Sequence, residues 1–262
     1  MSGPAVIVSR EGAVGRLTMD RPERRNAFDE ALVADLHAGL RDLDADPTVR
    51  VVVLAAAGTA FSAGADLAWM RRMADAPAAE GEADALRVAS LFQTLDRLST
   101  PTLALVGGAA RGGGVGLAAA CDVVVASEGA TFALTEVRLG LLPAVIAPYM
   151  VRAIGERAAR RYALTAETFG AEEAARLGLA HRVVPAAHLE AEGARLCAEI
   201  ARGAPGALAD AKRLLRVVAE APLDDALAAE TARRIAAART SPEGREGIAA
   251  FLERRRPAWD PE

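Results

Sequence analysis

Twice along this chain a short apolar run ends in glycine and gives way to a helical pattern, and this repeat constrains the fold more than any other feature. The first copy runs over 50–73, from "RVVVLAAAG" (50–58) through the loop "GTAFSAGADL". The second runs over 102–121, from "TLALVGG" through the triplet Gly112-Gly113-Gly114 into an apolar helical stretch. Apolar runs of this length, bounded by glycine, read as buried strands, and strands alternating with helices indicate an α/β protein. Glycine at such density costs backbone entropy on folding. Something must approach this backbone closely, or the chain must adopt dihedrals that side chains disfavour.

The remaining pattern fits around that repeat. Residues 5–9 and 13–19 alternate around "REG" and predict a hairpin. Asp29 is placed to cap a helix carrying Leu32, Leu36, Leu40 and Leu43 on one face. The polar, Ala-rich stretch 74–85 reads as a mobile connection to an amphipathic helix over 86–98, through Leu91, Phe92, Leu95 and Leu98. "DVVVAS" (122–127) is a further strand. From Pro143 onward the chain reads mostly as helix, interrupted by a strand-like run at "HRVVP" (181–185).

Composition narrows the function. With 262 residues, 52% of them hydrophobic and 25% charged, the chain has enough apolar material for a large core. Its net charge is −4 and Lys212 is its single lysine, which argues against nucleic acid as main partner. Arginine clusters ("RPERR", "RAARR", "ERRR") leave room for a small polyanionic ligand. Two cysteines, Cys121 and Cys197, make neither a disulfide framework nor a metal motif, so no metal is expected. "MSGPAVIVSREG" lacks the pattern of a signal peptide, and no apolar run reaches membrane-spanning length. A cytoplasmic protein without membrane association is expected.

Both glycine loops lead from a strand into a helix, whose first N–H groups are unpaired and lie at the positive end of the helix dipole. Two such ends converging on one developing negative charge would form an oxyanion hole. Tight strand–helix packing would demand the same glycines, and both readings stand on the residues alone. A phosphate-binding P-loop is excluded because no Gly-Lys-Ser/Thr follows, and the dinucleotide fingerprint lacks its distal acidic residue.

Motifs in order along almost the whole chain resemble one family. "RPERRNAF" (21–28), "FSAGADL" (61–67), "GGAARGGGVGLAAACDVVVAS" (107–127), "FALTEVRLGLLP" (132–143), "GERAARRYALTAETFGAEEAARLGLAHRVV" (155–184) and "EGIAAFLERRRP" (246–257) resemble the crotonase, or enoyl-CoA hydratase/isomerase, superfamily. The resemblance implies a ClpP-like spiral of repeated strand–strand–helix units over 1–195, followed by a helical oligomerisation region over 196–262. It implies an oxyanion hole from the backbone N–H groups of Ala65 and Gly113, and a CoA path along Arg24, Ala63, Asp66 and Leu67. The substrate would arrive as a CoA thioester, with no permanently bound cofactor, on a homotrimer or a dimer of trimers. Ser62 is not expected to be a nucleophile, since no histidine is placed to activate it. His37, His181 and His188 are read as structural or solvent-facing rather than catalytic, and Asp122 as structural.

The carboxylates bear on the reaction. Hydratases of the family typically carry two glutamates, one just after the triplet ("GGGxE") and one in "E-x-x-x-G-x-x-P". Glu136 occupies the second position and Gly116 the first. Hydration of an enoyl thioester moves two protons, so Glu136 would take one from water and return it to the α carbon. The other reading is a Δ3,Δ2-enoyl-CoA isomerase in which Glu136 shuttles a proton between carbons. An acyl-CoA-binding pseudo-enzyme is a third, and an RNA-binding relative is disfavoured by the lone lysine. "AVIAPYM" (144–150) stands where many relatives are glycine-rich and is expected to reshape the acyl pocket. The chain looks most similar to bacterial hydratases of 3-methylglutaconyl-CoA and isohexenylglutaconyl-CoA. Arg111 and Arg138 are then candidates to meet a distal substrate carboxylate, or else arginines paired at a subunit surface.

Overall fold

The computed structural model describes residues 4–260; the first three residues of the "MSGP" stretch lie outside them. The hairpin forms as expected, with β1 (Val6–Glu11) antiparallel to β2 (Val14–Met19). A six-stranded sheet continues from β2 through β3 (Val51–Ala56), β5 (Thr102–Val106), β7 (Val123–Ser127) and β10 (Arg182–Val184), each parallel to the last. Its central strands are apolar at consecutive positions because both faces are covered. Val52, Leu54, Ala104 and Val106 join the large core, whereas Val51, Val53, Leu103 and Leu105 meet a smaller cluster with Leu189 and Cys197.

A second sheet is made of strands only two or three residues long. It orders β4 (Ala60–Ser62), β6 (Ala109–Arg111), β8 (Thr131–Ala133) and β9 (Phe169–Gly170), the first three mutually parallel. Each turn of the spiral therefore places one long strand in the first sheet and one short strand in the second. The pairs are β3 with β4, β5 with β6, and β7 with β8. This is the expected α/β spiral of strand–strand–helix units.

Helices close the turns. Asp29 caps α1 (Glu30–Ala45) by accepting from the Leu32 N–H, and Asp66 caps α2 (Leu67–Asp75) by accepting from Ala68 and Trp69. The stretch read as a mobile connection instead supplies the end of α2 and the first turns of α3 (Ala78–Arg97). Alanine and glutamate there favour helix strongly enough without a regular apolar face. After α4 (Gly113–Ala120) come α5 (Ala147–Thr165) and α6 (Ala171–Leu177), then α7 (Leu189–Ala201), which contains the anticipated boundary at 195 and packs on the sheet. The last helices are α8 (Pro205–Glu220), α9 (Asp225–Thr240) and α10 (Pro242–Leu252). Lys212 anchors α8 through a 2.6 Å ion pair to Asp122 and a bond to the Thr100 carbonyl. Asp122 also accepts from the Thr102 N–H and hydroxyl, in the structural role anticipated for it. No helix among the described residues is long and apolar enough to cross a membrane.

Candidate active site

The site follows from the parallel register of the short strands. Because β4, β6 and β8 are adjacent and parallel, the segments leaving their C-terminal ends lie side by side. Those segments carry Gly64-Ala65, Gly112-Gly113 and Glu136. Gly64 (φ +88) packs on the Arg111 carbonyl, 3.4 Å from the place its Cβ would occupy, and a Cβ on Gly112 (φ +47) would stand 2.9 Å from Glu136 Oε1. The positive φ at both positions favours glycine, and a Cβ on Gly112 would also displace the Glu136 carboxylate.

Two backbone donors are left unused beside that carboxylate. Ala65 is bridged to Phe28 through its neighbours, since Phe28 N–H donates to the Gly64 carbonyl and Asp66 N–H to the Phe28 carbonyl. Among the described residues neither the Ala65 N–H nor the Gly113 N–H has a protein acceptor. Gly113 opens α4, so its N–H also lies at the positive end of that helix. Uncommitted N–H groups on neighbouring segments are the kind of donor that can stabilise a developing oxyanion.

Glu136 begins a 3-10 turn that extends to Leu139 and is closed by Gly140 in the left-handed region. Its Oε2 is buried without a hydrogen-bond partner. Burial pushes the carboxyl above the ordinary glutamate range, partly offset by its own backbone N–H. A carboxyl with a raised pKa suits proton transfer.

The expected CoA-path residues fall together. Arg24 lies at 3.8 Å from Asp66 Oδ2 and 3.9 Å from Asp29 Oδ2, and is half exposed. Ala63 and Leu67 are exposed beside them. Arg111 is engaged elsewhere: its guanidinium donates to the carbonyls of Ala110 and Thr131 and to the Thr131 hydroxyl. That ties β6 to the start of β8, whereas Glu136 follows the end of β8. Arg138 is exposed and has no carboxylate partner among the described residues. In a turn of three residues it points about 120° away from Glu136. Of the histidines, His37 pairs with Thr94, His181 Nδ1 accepts from the Val124 N–H, and His188 is exposed.

Three contributors were not visible as such in the sequence. Asn26, fully buried at φ +52, donates to the Ala57 and Ala60 carbonyls and accepts from the Arg21 N–H. The Ser62 hydroxyl, likewise buried, donates to the Asn26 carbonyl and accepts from the Gly64 N–H, which excludes it as a nucleophile. Ile146, from the bulky "AVIAPYM" run, fills the space beside Gly116: a Cβ there would stand 2.3 Å from Ile146 Cγ2 and 3.0 Å from Phe92 Cε1. A side chain at the first glutamate position would meet packed hydrocarbon.

An α/β spiral whose glycine-bounded turns lie beside Glu136, with one carboxylate oxygen buried and unpartnered, offers donors and a proton acceptor in one place. Comparison with known proteins agrees. A model of the enoyl-CoA hydratase/isomerase family matches residues 9–262. A Thermus thermophilus protein named as an enoyl-CoA hydratase is 40% identical over 97% of this chain and 100% of its own. The 2,3-dehydroadipyl-CoA hydratase of Escherichia coli is 36% identical over 96% of this chain and 97% of its own. The crystal structure of an enoyl-CoA hydratase from Shewanella pealeana superposes with a TM-score of 0.95 at 40% identity, covering 97% of this chain and 96% of that one. The chain belongs to the enoyl-CoA hydratase/isomerase family. It is an enzyme of the hydro-lyase class that this family's hydratases represent.

Proposed function

We propose that this chain adds water across the α,β double bond of an enoyl-CoA thioester, with Glu136 as its single acid–base residue. The observation that carries the reading is Glu136, whose Oε2 is buried without a partner and whose Oε1 lies against Gly112, next to the unused N–H groups of Ala65 and Gly113. Glu136 takes a proton from water as its oxygen bonds to the β carbon, and the π electrons move to the thioester oxygen. The two N–H groups hold that enolate. Glu136 then returns the proton to the α carbon, so atoms and charge balance. Arg24, Ala63, Asp66 and Leu67 form the CoA-binding face, and no permanent cofactor takes part.

For the acyl group the reading is a branched or carboxylate-bearing chain of 3-methylglutaconyl type, in the cytoplasm. The dehydroadipyl-CoA hydratase relative supports it, since a dehydroadipyl group ends in a carboxylate. Arg138 is the stronger candidate to meet that carboxylate, because Arg111 is already bonded to Thr131. The single carboxylate also favours a second reading, Δ3,Δ2-isomerisation, which needs one proton shuttle.

Separate assays decide between them. A 2-enoyl-CoA should give the 3-hydroxyacyl product, and a 3-enoyl-CoA converted only to its 2-enoyl isomer would favour the second reading. Glu136→Gln should lower turnover at least ~10²–10⁴-fold while CoA binding persists. Normal turnover in that variant would remove Glu136 from the mechanism.

A further inference from the structure

Ala65 follows β4 and Gly113 opens α4, and one residue of a third segment touches both. Phe28 is buried. Its backbone holds the first of them: the Phe28 N–H donates to the Gly64 carbonyl and its carbonyl accepts from the Asp66 N–H, both at 2.7 Å. The peptide between Gly64 and Ala65 is planar and trans, so its C=O and N–H point in opposite directions. With the Gly64 carbonyl fixed on Phe28, the Ala65 N–H is aimed away from the loop over 21–28.

The ring of Phe28 meets the second segment. The three heavy atoms nearest to the place of a Gly113 Cβ are Phe28 Cε2 and Cζ, each at 3.2 Å, and Cδ2 at 3.4 Å. Gly112, the N-cap of α4, has no side chain with which to cap it. The first turn is therefore located by what it rests on: Phe28 at Gly113 and Ser62 at Gly114. Behind the Phe28 ring stands Phe92, fully buried and stacked on it with centroids 6.3 Å apart and planes 21° apart. Phe92 itself lies against Gly116 of the same helix. At interior packing density, a ring packed on both Phe92 and Gly113 has little room to shift.

We propose that Phe28 is a positioning residue of the reaction: its backbone orients the Ala65 N–H, its ring seats Gly113, and together they set the separation of the donors that hold the enolate. This role rests on the reading of Ala65 and Gly113 as the oxyanion donors. A misplacement of about 1 Å can cost about 10²-fold in rate, and loss of one oxyanion donor costs about 10²–10³-fold in kcat. Truncating the ring leaves the backbone bonds of residue 28 in place and loosens Gly113.

The test uses the full chain, turnover of a 2-enoyl-CoA, and infrared spectra of bound butanoyl-CoA carrying carbon-13 at the thioester carbonyl. That probe has no double bond to hydrate. Hydrogen bonds to a carbonyl lower its stretching frequency, so the stretch should fall when the probe binds the parent chain. Phe28→Ala should lower kcat about tenfold or more and lose most of that shift. Free CoA, which has no acyl carbonyl, should bind this variant as it binds the parent. Phe28→Leu keeps hydrocarbon against Gly113 and should lie between the two; where Phe28→Ala does not fold, Phe28→Leu is read alone against the parent. Phe169→Leu trims another buried aromatic, packed on Phe132 and Tyr162, and should lower stability with kcat and the shift unchanged. Parental kcat and shift in the folded Phe28 variants, a matching loss of CoA affinity, or the same losses in Phe169→Leu would each overturn the role of Phe28. No shift in the parent would instead overturn the reading of Ala65 and Gly113 as donors, and the role of Phe28 with it.

Discussion

Gly116 and Ile146 occupy each other's space, and the consequence is measurable. In the middle of a helix Gly→Ala ordinarily stabilises by about 1 kcal/mol. Here the added Cβ would stand 2.3 Å from Ile146 Cγ2 and 2.9 Å from Ile146 Cβ, and overpacking of that kind costs ~1–3 kcal/mol. The steric term wins, so Gly116→Ala should lower stability in denaturant unfolding. In an Ile146→Ala background its cost should shrink, and equal costs in the two backgrounds would refute the contact. For the same reason Gly116→Glu alone should destabilise without raising hydration. Glu136 gives the second residue-scale prediction. Its carboxyl is raised in the folded protein, so below the ordinary glutamate range the folded and unfolded chains are both protonated there. As pH rises between the ordinary and the raised value, only the unfolded chain releases the proton, and stability falls. Glu136→Gln should therefore melt higher than the parent at neutral pH, with the difference closing in acid. The parent's kcat/KM should fall on the acid side through a pKa above the usual glutamate value, because the base must be ionised to accept water's proton.

At the scale of elements, the loop over 21–28 shows how the segment carrying Gly64 and Ala65 is held. The Arg21 guanidinium grips Asp29 with two 2.6 Å bonds, and Asp29 caps α1. Asn26 pins the same loop to β4 and its approach. Asn26→Ala removes three bonds to backbone groups and leaves buried carbonyls unpaired, at a cost of ~1–3 kcal/mol or more. It should also raise KM for CoA thioesters, because Arg24 and Ala63 move with the loop; a variant that loses stability with unchanged KM would separate the two roles. Part of this was legible in the sequence. Continuous apolar strands, the Asp29 cap and the amphipathic Leu positions each carry a local periodic signal. The strands β4, β6 and β8 do not, since three residues are too few for a period to register, yet their parallel pairing brings Ala65, Gly113 and Glu136 together. The family motifs located those residues without that pairing being visible. Asn26 carried only the weak signal of an asparagine that tolerates the left-handed region. Nothing local in the sequence announces Thr131, twenty residues on, as the partner of Arg111.

At the scale of the whole molecule, the end of the chain is built unlike its core. Among residues 205–252 only Ala209 and Ala250 are buried. Leu223, Phe251 and Leu252 are 96%, 83% and 73% exposed, and Leu139, Leu141 and Leu142, directly after Glu136, are exposed as well. Isolated apolar side chains on a surface need no explanation, but a run of leucines beside the active-site turn, together with an apolar C-terminal helix, is what an association surface presents. Burial of a large side chain contributes ~1.5–3 kcal/mol, so a few such residues per subunit suffice to hold an assembly. We propose that a homotrimer or dimer of trimers would cover these faces, with the C-terminal helical region as its oligomerisation element. Light scattering on the purified chain should then give three or six times the 27.2 kDa of one subunit. Phe251→Asp with Leu252→Asp should shift the mass toward the monomer while the spectroscopic signature of the folded chain persists, because both side chains are solvent-facing within the subunit. If the assembly also steadies the turn over 136–142, hydration should fall with the mass. Full activity from a stable monomer would separate the surface from the reaction, and a monomeric parent chain would leave the exposed leucines without the partner proposed for them.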